Sequence, residues 1–153
     1  MITFLKAEEQ HQHSNGGGWV ANTAVVAASA YIGPDAWVSD NAQVCDNAWV
    51  CGDAQVYGDA CVCSHALVYS TAQVYGDAQV YGNARVYGDA QVYGNARVYG
   101  DAQVYGNAQV CDNAWVCGDA RVYGDARVCD HARVYGQYAG APYSGPVAAQ
   151  EKI

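Results

Sequence analysis

The sequence predicts an all-β chain wound as a three-sided parallel solenoid, and three observations predict it. An aliphatic residue recurs every six positions from Val20 to Val134, twenty times without a gap, and only Ile32 departs from Val. Alanine keeps the same period from Ala24 through Ala132. Seventeen Gly stand against three Pro and one Phe, so turns are plentiful and the large side chains that fill a wide core are scarce. A fixed short period without insertions belongs to chains whose units bury their apolar side only by stacking on one another.

The repeating unit runs Ala, a variable residue, Val, then Tyr or Cys, then Gly or Asp, then Asp or Asn, as in the run from Ala78 to Gly106. Six residues are too few for a helix pair, and Ala-x-Val-Tyr alternates with the period of a strand. Ala and Val therefore point inward, and the variable residue and Tyr point outward. The Gly-Asp or Gly-Asn pair supplies the positive φ of a sharp corner. The opposite facing would set every Tyr in a narrow lumen and every Val in water. Three strands and three corners make an eighteen-residue coil, so twenty hexads give about 6.7 coils and a prism about 32 Å long.

Three segments follow. Residues 1–18 are a lead or cap, 19–137 carry the repeat, and 138–153 lose it and are expected to form an extended tail. His11 and His13 fall in the polar, Gly-flanked lead and are expected to be disordered. The lead turns charged after five residues, too early for the apolar core of a secretory leader, and no apolar run approaches membrane-spanning length. A cytoplasmic chain is the expectation.

The spacing of an aliphatic residue with a small one four positions later, as in Val56 with Ala60, Val74 with Ala78 and Val98 with Ala102, resembles the hexapeptide-repeat proteins. That resemblance covers residues 20–137 and implies a single-stranded left-handed parallel β-helix. The strict period of six favours this hand over right-handed triangular β-helices such as the bactofilin type of cytoskeletal polymer. The family includes acyltransferases, metal-dependent carbonic anhydrases and non-catalytic modules, so the resemblance implies a fold and leaves the chemistry open.

Residues eighteen apart should stack on one wall. The slot after Val places Tyr57, Tyr75 and Tyr93 below Cys111 and Cys129 on one wall. A second wall carries Cys45 and Cys63, then Tyr81, Tyr99, Cys117 and Tyr135, and a third carries Cys51, Tyr69, Tyr87, Tyr105 and Tyr123. A Gln column, Gln55, Gln73, Gln91 and Gln109, runs beside the first Tyr column. Such exposed ladders reinforce in-register strands, and they also form a flat adhesive surface for another copy or a glycan. Trp19, Trp37, Trp49 and Trp115 occupy the outward slot before Val, with Trp19 due to stack on Trp37 and Tyr31 on Trp49. The N-terminal coils are accordingly the more apolar outside, and the segment from Ile2 to Leu5 or a neighbouring subunit is expected to cover them.

Of the seven Cys, Cys45 with Cys63 and Cys111 with Cys129 fall on adjacent coils at about 4.8 Å between Cα atoms, within disulfide reach. A reducing cytoplasm opposes both bonds. Cys61, Cys63 and His65 alternate along one strand above Cys45, but alternation on a flat strand is expected to splay the ligands, and no metal or other cofactor is expected. Aspartates at the corners, such as Asp35 with Asp53 and Asp59 with Asp77, are expected to be solvated and held by local Asx hydrogen bonds, without calcium. The tract 41–66 returns as 107–132, displaced by eleven hexads and hence rotated by one wall, so the two copies do not form one site.

Seven basic against fifteen acidic residues leave a net charge of −8, which disfavours nucleic acid and anionic membranes as partners. All five Arg (Arg85, Arg97, Arg121, Arg127 and Arg133) sit in the outward slot before Val in the C-terminal half. No insertion shapes a cleft, and His65 and His131 occupy corner positions that Asp or Asn fills elsewhere, so no catalytic residue is assigned. The expected function is a structural scaffold that associates with itself. The alternatives are a hexapeptide-type acyltransferase using His65 or His131, and a glycan or cell-surface binding module such as part of a phage fibre.

Overall fold

The computed structural model describes residues 9–135 and, beyond them, the strands Gln137–Ala139 and Pro142–Tyr143. Most strands are two residues long, an outward residue followed by the inward Val, as in Gln73–Val74 and Arg85–Val86. Each pairs in parallel with the strand three places along the chain, so partners lie eighteen residues apart: Gln73 with Gln91, Gln79 with Arg97, Arg85 with Gln103. Among the described residues the result is three sheets of nine, seven and seven strands, visited in turn by successive laps of the chain. The all-β solenoid and its eighteen-residue lap are as the period predicts.

The lumen is lined as expected. Every repeat Ala from Ala30 to Ala132 and every repeat aliphatic from Ile32 to Val128 is fully buried. Each such Val removes about 1.5–3 kcal/mol worth of apolar surface from water, and stacking is the only way a two-residue strand can do so. The coils are joined through the backbone. The N–H before Val donates to an Ala carbonyl seventeen residues on, as Gln73 to Ala90 at 3.0 Å, and the N–H after Val donates to a Val carbonyl, as Tyr75 to Val92 at 2.9 Å. Corner residues continue the ladder, with Asp77 N–H on the Gly94 carbonyl at 2.8 Å.

From Asp40 to Asp130 the first residue of each corner is held at positive φ. Gly76 has φ +68°, and a Cβ there would stand 2.9 Å from the Gly94 nitrogen. Asp40, Asp46, Ser64, Ser70, Asp112 and Asp130 adopt the same conformation without being glycine. Three of them show how this is offset: the carboxylates of Asp40, Asp46 and Asp112 accept from the backbone N–H of Gly58, Ser64 and Asp130 one coil along, at 3.0, 3.1 and 3.2 Å. The corner polar groups thus bond from coil to coil, where local Asx bonds were expected. Asn83 to Asp101 and Asn107 to Asp125, both 3.2 Å, follow the same rule, as does the Thr71 hydroxyl on Asp89.

The two ends differ from expectation. The described part of the lead forms structure: strand β1 (Gln10–Gln12) pairs antiparallel with β2 (Trp19–Ala21) and is the outermost strand of the first sheet among the described residues. His13, expected in a disordered stretch, is buried, and its Nε2 and the Asn15 side-chain amide both meet the Ala30 carbonyl, at 2.9 and 3.1 Å. Gly18 N–H on Ile32 O and Ile32 N–H on Asn15 O complete a cover over β4 (Tyr31–Ile32), the edge of the third sheet. Strand β3 (Val25–Val26), the edge of the second sheet, has no strand outside it among the described residues. The Ile2–Leu5 cover lies outside the described residues. At the other end, Gln137–Ala139 pairs with Arg121–Tyr123 and Pro142–Tyr143 with Arg127–Val128, so winding continues into the segment read as tail. Among the described residues no helix is long and apolar enough to cross a membrane.

The corner geometry predicts an inverted substitution order. Gly76→Ala should lower stability by about 1–2 kcal/mol, from a left-handed backbone and a Cβ set against the next coil. Gly76→Asp should cost about 1 kcal/mol less than Gly76→Ala, because its carboxylate can accept the Gly94 N–H as Asp40 accepts that of Gly58. Thermal melting of the two variants measures the order; Asp as the worse substitution would refute it.

Candidate functional site

The outer walls are where this chain meets its surroundings, and their ladders form as the register dictates. Tyr57, Tyr75 and Tyr93 stack with ring centroids 4.9 and 5.0 Å apart and planes within 4°. Tyr69, Tyr87, Tyr105 and Tyr123 repeat this at 4.8, 4.9 and 5.3 Å, and Tyr81 lies on Tyr99 at 4.9 Å. The rings are half-buried, lying along the wall where exposed ladders were expected. Long hydrogen bonds tie them sideways to the Gln columns: Tyr75 to Gln91 and Tyr93 to Gln109 at 3.4 Å, Tyr87 to Gln103 at 3.3 Å. Burial is the main reason that Tyr57, Tyr69, Tyr75, Tyr81, Tyr87 and Tyr99 all titrate above the ordinary phenol value, and neighbouring phenols add to it for Tyr57, Tyr75, Tyr87 and Tyr99.

At the N-terminal end Trp19 stacks on Trp37 at 5.9 Å and Tyr31 on Trp49 at 4.5 Å. Trp49 remains 48% exposed and Val25 64%, the two large apolar residues most open to water among those described. This apolar end was legible in the spacing of the Trp residues; the exposure of Val25 follows from the bare edge of β3.

The cysteines divide. Cys111 and Cys129 form a disulfide between adjacent coils, with Cα atoms 4.6 Å apart. Cys45 and Cys63, the equivalent pair in the first copy of the repeated tract, do not; both are free, as are Cys51, Cys61 and the buried Cys117. Of the two bonds that distance permits and a reducing compartment was expected to oppose, one is formed and the other is not, and beside the unbonded pair stands a third thiol. Cys61 and Cys63 flank the inward Val62 and so face the same way, and the Sγ atoms of Cys45, Cys61 and Cys63 lie within 4.8 Å of one another. The thiols converge where splaying was expected, and His65 is not part of the group. Burial, then the nearby sulfurs of Cys63 and Cys61, push the Cys45 thiol up to about 12, and burial first, then Cys63, raises Cys61.

Near the C-terminal end the second wall carries Trp115 between two cations, with the Arg97 and Arg133 guanidinium carbons 5.3 and 4.5 Å from its ring centroid. With Asn95, Asn113 and His131 these residues line an open depression of about 520 Å³. His131 and His65 stand on exposed corners. No carboxylate or nucleophile lines the depression beside His131, so it offers a cationic and aromatic surface without an acid–base pair.

A family model, the YdcK β-solenoid repeat, matches residues 42–58, 78–90, 90–106, 102–118, 108–124 and 120–137, half of the chain in all. The chain belongs to the YdcK β-solenoid repeat family. Every matched window opens on an inward alanine, Ala42, Ala78, Ala90, Ala102, Ala108 or Ala120, and the longer ones span close to one coil. The YdcK repeat thus coincides with the structural lap. Cys45 falls inside a matched window, whereas Cys61 and Cys63 fall in the unmatched stretch between 58 and 78. No curated protein and no solved structure matches the chain.

The ladders of this YdcK repeat chain predict an alkaline weakness. A phenol whose folded value lies above its unfolded value of 10.0 favours the folded state fully below that value, and loses that contribution as pH rises through the folded value. Melting temperature should therefore hold up to pH about 10 and fall above it, with native phenolate absorbance appearing later than in the unfolded chain. A native titration coinciding with the unfolded one would remove the ladders' burial from the account.

Proposed function

We propose that this YdcK-type solenoid is a non-catalytic scaffold that associates with copies of itself, end to end through its second sheet. The observation that carries the reading is the unequal finish of its ends. Among the described residues, the second sheet is bare at both edges, Val25–Val26 at one and Arg133–Val134 at the other. The ladder rule directs the N–H groups of Arg133 and Tyr135 outward at the second edge and the carbonyls of Ala24 and Val26 outward at the first. Donors thus face acceptors in the same register that joins coils within the chain. A bare strand edge that carries the exposed Val25 favours pairing with another chain. The cover over β4 and the antiparallel β1 limit that pairing to one sheet of three, which supports a weak, concentration-dependent contact. The Tyr and Gln ladders stiffen each copy, and the tyrosine walls add a flat surface for lateral contact.

The acyltransferase reading drawn from the hexapeptide resemblance has less support. Acyl transfer needs a base beside a sheltered donor site, whereas His65 and His131 are exposed corner residues on an uninterrupted coil. Glycan binding at Trp115 is weakened by its two guanidinium neighbours, which occupy the ring faces a sugar would stack upon.

Sedimentation velocity across a wide concentration range tests the scaffold. The wild type should gain mass as concentration rises, and Val25→Lys, which places a charge on the bare edge without touching the lumen, should weaken association at least about tenfold. A wild type that stays monomeric at the highest concentration, or one whose association ignores Val25→Lys, would overturn end-to-end pairing.

A further inference from the structure

The geometry points to a site for one thiophilic metal ion of the Cu(I) class, held by the thiolates of Cys45, Cys61 and Cys63 on the second wall. Three sulfurs around one ion, at the roughly 2.3 Å typical of metal–thiolate bonds, stand about 4 Å from one another. The three Sγ atoms here already lie within 4.8 Å, so closing on an ion takes tenths of an ångström and no movement of the backbone. Two of the ligands come from one strand and its end, on either side of the buried Val62, and the third from the coil below, where strand pairing sets Val44 beside Val62 and so Cys45 beside Cys63. The ligand frame is therefore fixed by the coil stack. All three thiols are partly exposed, which leaves the ion a way in.

The duplicated tract supplies an internal comparison. Cys111 and Cys129 repeat Cys45 and Cys63, but Arg127 stands where Cys61 does, and there the two sulfurs close on each other as a disulfide. With the third sulfur present, the same frame holds three free thiols. Of the three positions at which the copies differ, Gln55/Arg121, Cys61/Arg127 and Ser64/Asp130, only the second changes the number of sulfurs. Donor chemistry selects the ion: three soft sulfurs, with no imidazole or carboxylate oxygen in the group, suit a three-coordinate d¹⁰ cation and leave Zn(II) short of its fourth ligand. The Asp46 carboxylate, anchored on the Ser64 N–H at 3.1 Å, adds negative charge beside the cluster. Binding exchanges three thiol protons for one cation, and the protons pass to the buffer.

The test is anaerobic titration of the full chain with Cu(I), in competition with a chromophoric Cu(I) chelator, in a Cys111→Ser/Cys129→Ser background that removes the other vicinal pair. One equivalent should bind per chain, and Cys61→Ser should weaken it at least about tenfold, since loss of supporting contacts alone weakens metal sites by that much. Circular dichroism checks that Cys61→Ser keeps its fold, as a partly exposed outward position should. Cys51→Ser is the matched control and should leave binding unchanged. Three results would each overturn the site: no stoichiometric uptake, uptake indifferent to Cys61→Ser, or equal loss with Cys51→Ser.

Discussion

The structure rests on one repeated bond, the hydrogen bond from a strand N–H to a carbonyl seventeen residues further along. It forms only if each lap returns to the same height and heading, and a lap does so only if its three sides are equal and its lumen is evenly filled. Alanine and valine meet that condition together. Alanine at the head of each strand lets the corner close tightly, and valine fills what remains of the cross-section. Larger side chains would push one coil off the next and break the ladder for its whole circumference. The near absence of Leu, Phe and Met is thus the compositional form of a width limit.

From that limit follows the character of the surface. A solenoid whose interior is alanine and valine at every repeat position but Ile32 carries its individuality outside, and there the eighteen-residue lap converts sequence spacing into columns. Tyrosines become ring stacks, and glutamines become a column tied to them by long hydrogen bonds. Corner carboxylates become acceptors for the next coil's N–H groups. Each column adds modest stabilisation on its own, but the columns repeat with the ladder and reinforce the same spacing. The two copies of the duplicated tract differ at three positions and keep the same fold, and the exchange of Cys61 for Arg127 accompanies the difference between a cluster of thiols and a disulfide.

Much of this was legible in the sequence because a period of six admits few windings. The inward Val and Ala, the corner at Gly-Asp, the stacking of Trp19 on Trp37 and the reach of Cys111 to Cys129 all follow from position modulo eighteen. What the period did not reveal depends on side-chain lean and on segments outside the repeat. The convergence of Cys45, Cys61 and Cys63 needs neighbouring outward thiols to tilt together, which register alone leaves open. The cover built by His13, Asn15 and Gly18 over Ala30 and Ile32 lies in a lead with no period to read. The half-burial of the tyrosines reflects how closely rings 4.9 Å apart shield each other, a matter of packing geometry.

The claim beneath all of this is that residues eighteen apart are vertical neighbours on one wall. Paired cysteine cross-linking tests it most directly, in a chain whose seven native cysteines are replaced by serine. Tyr69→Cys with Tyr87→Cys should form a disulfide under mild oxidant, because those residues stack on adjacent coils. Tyr69→Cys with Tyr81→Cys, twelve residues apart and on different walls, should remain reduced. Efficient bonding of the second pair and none of the first would contradict the eighteen-residue lap and every column assigned from it.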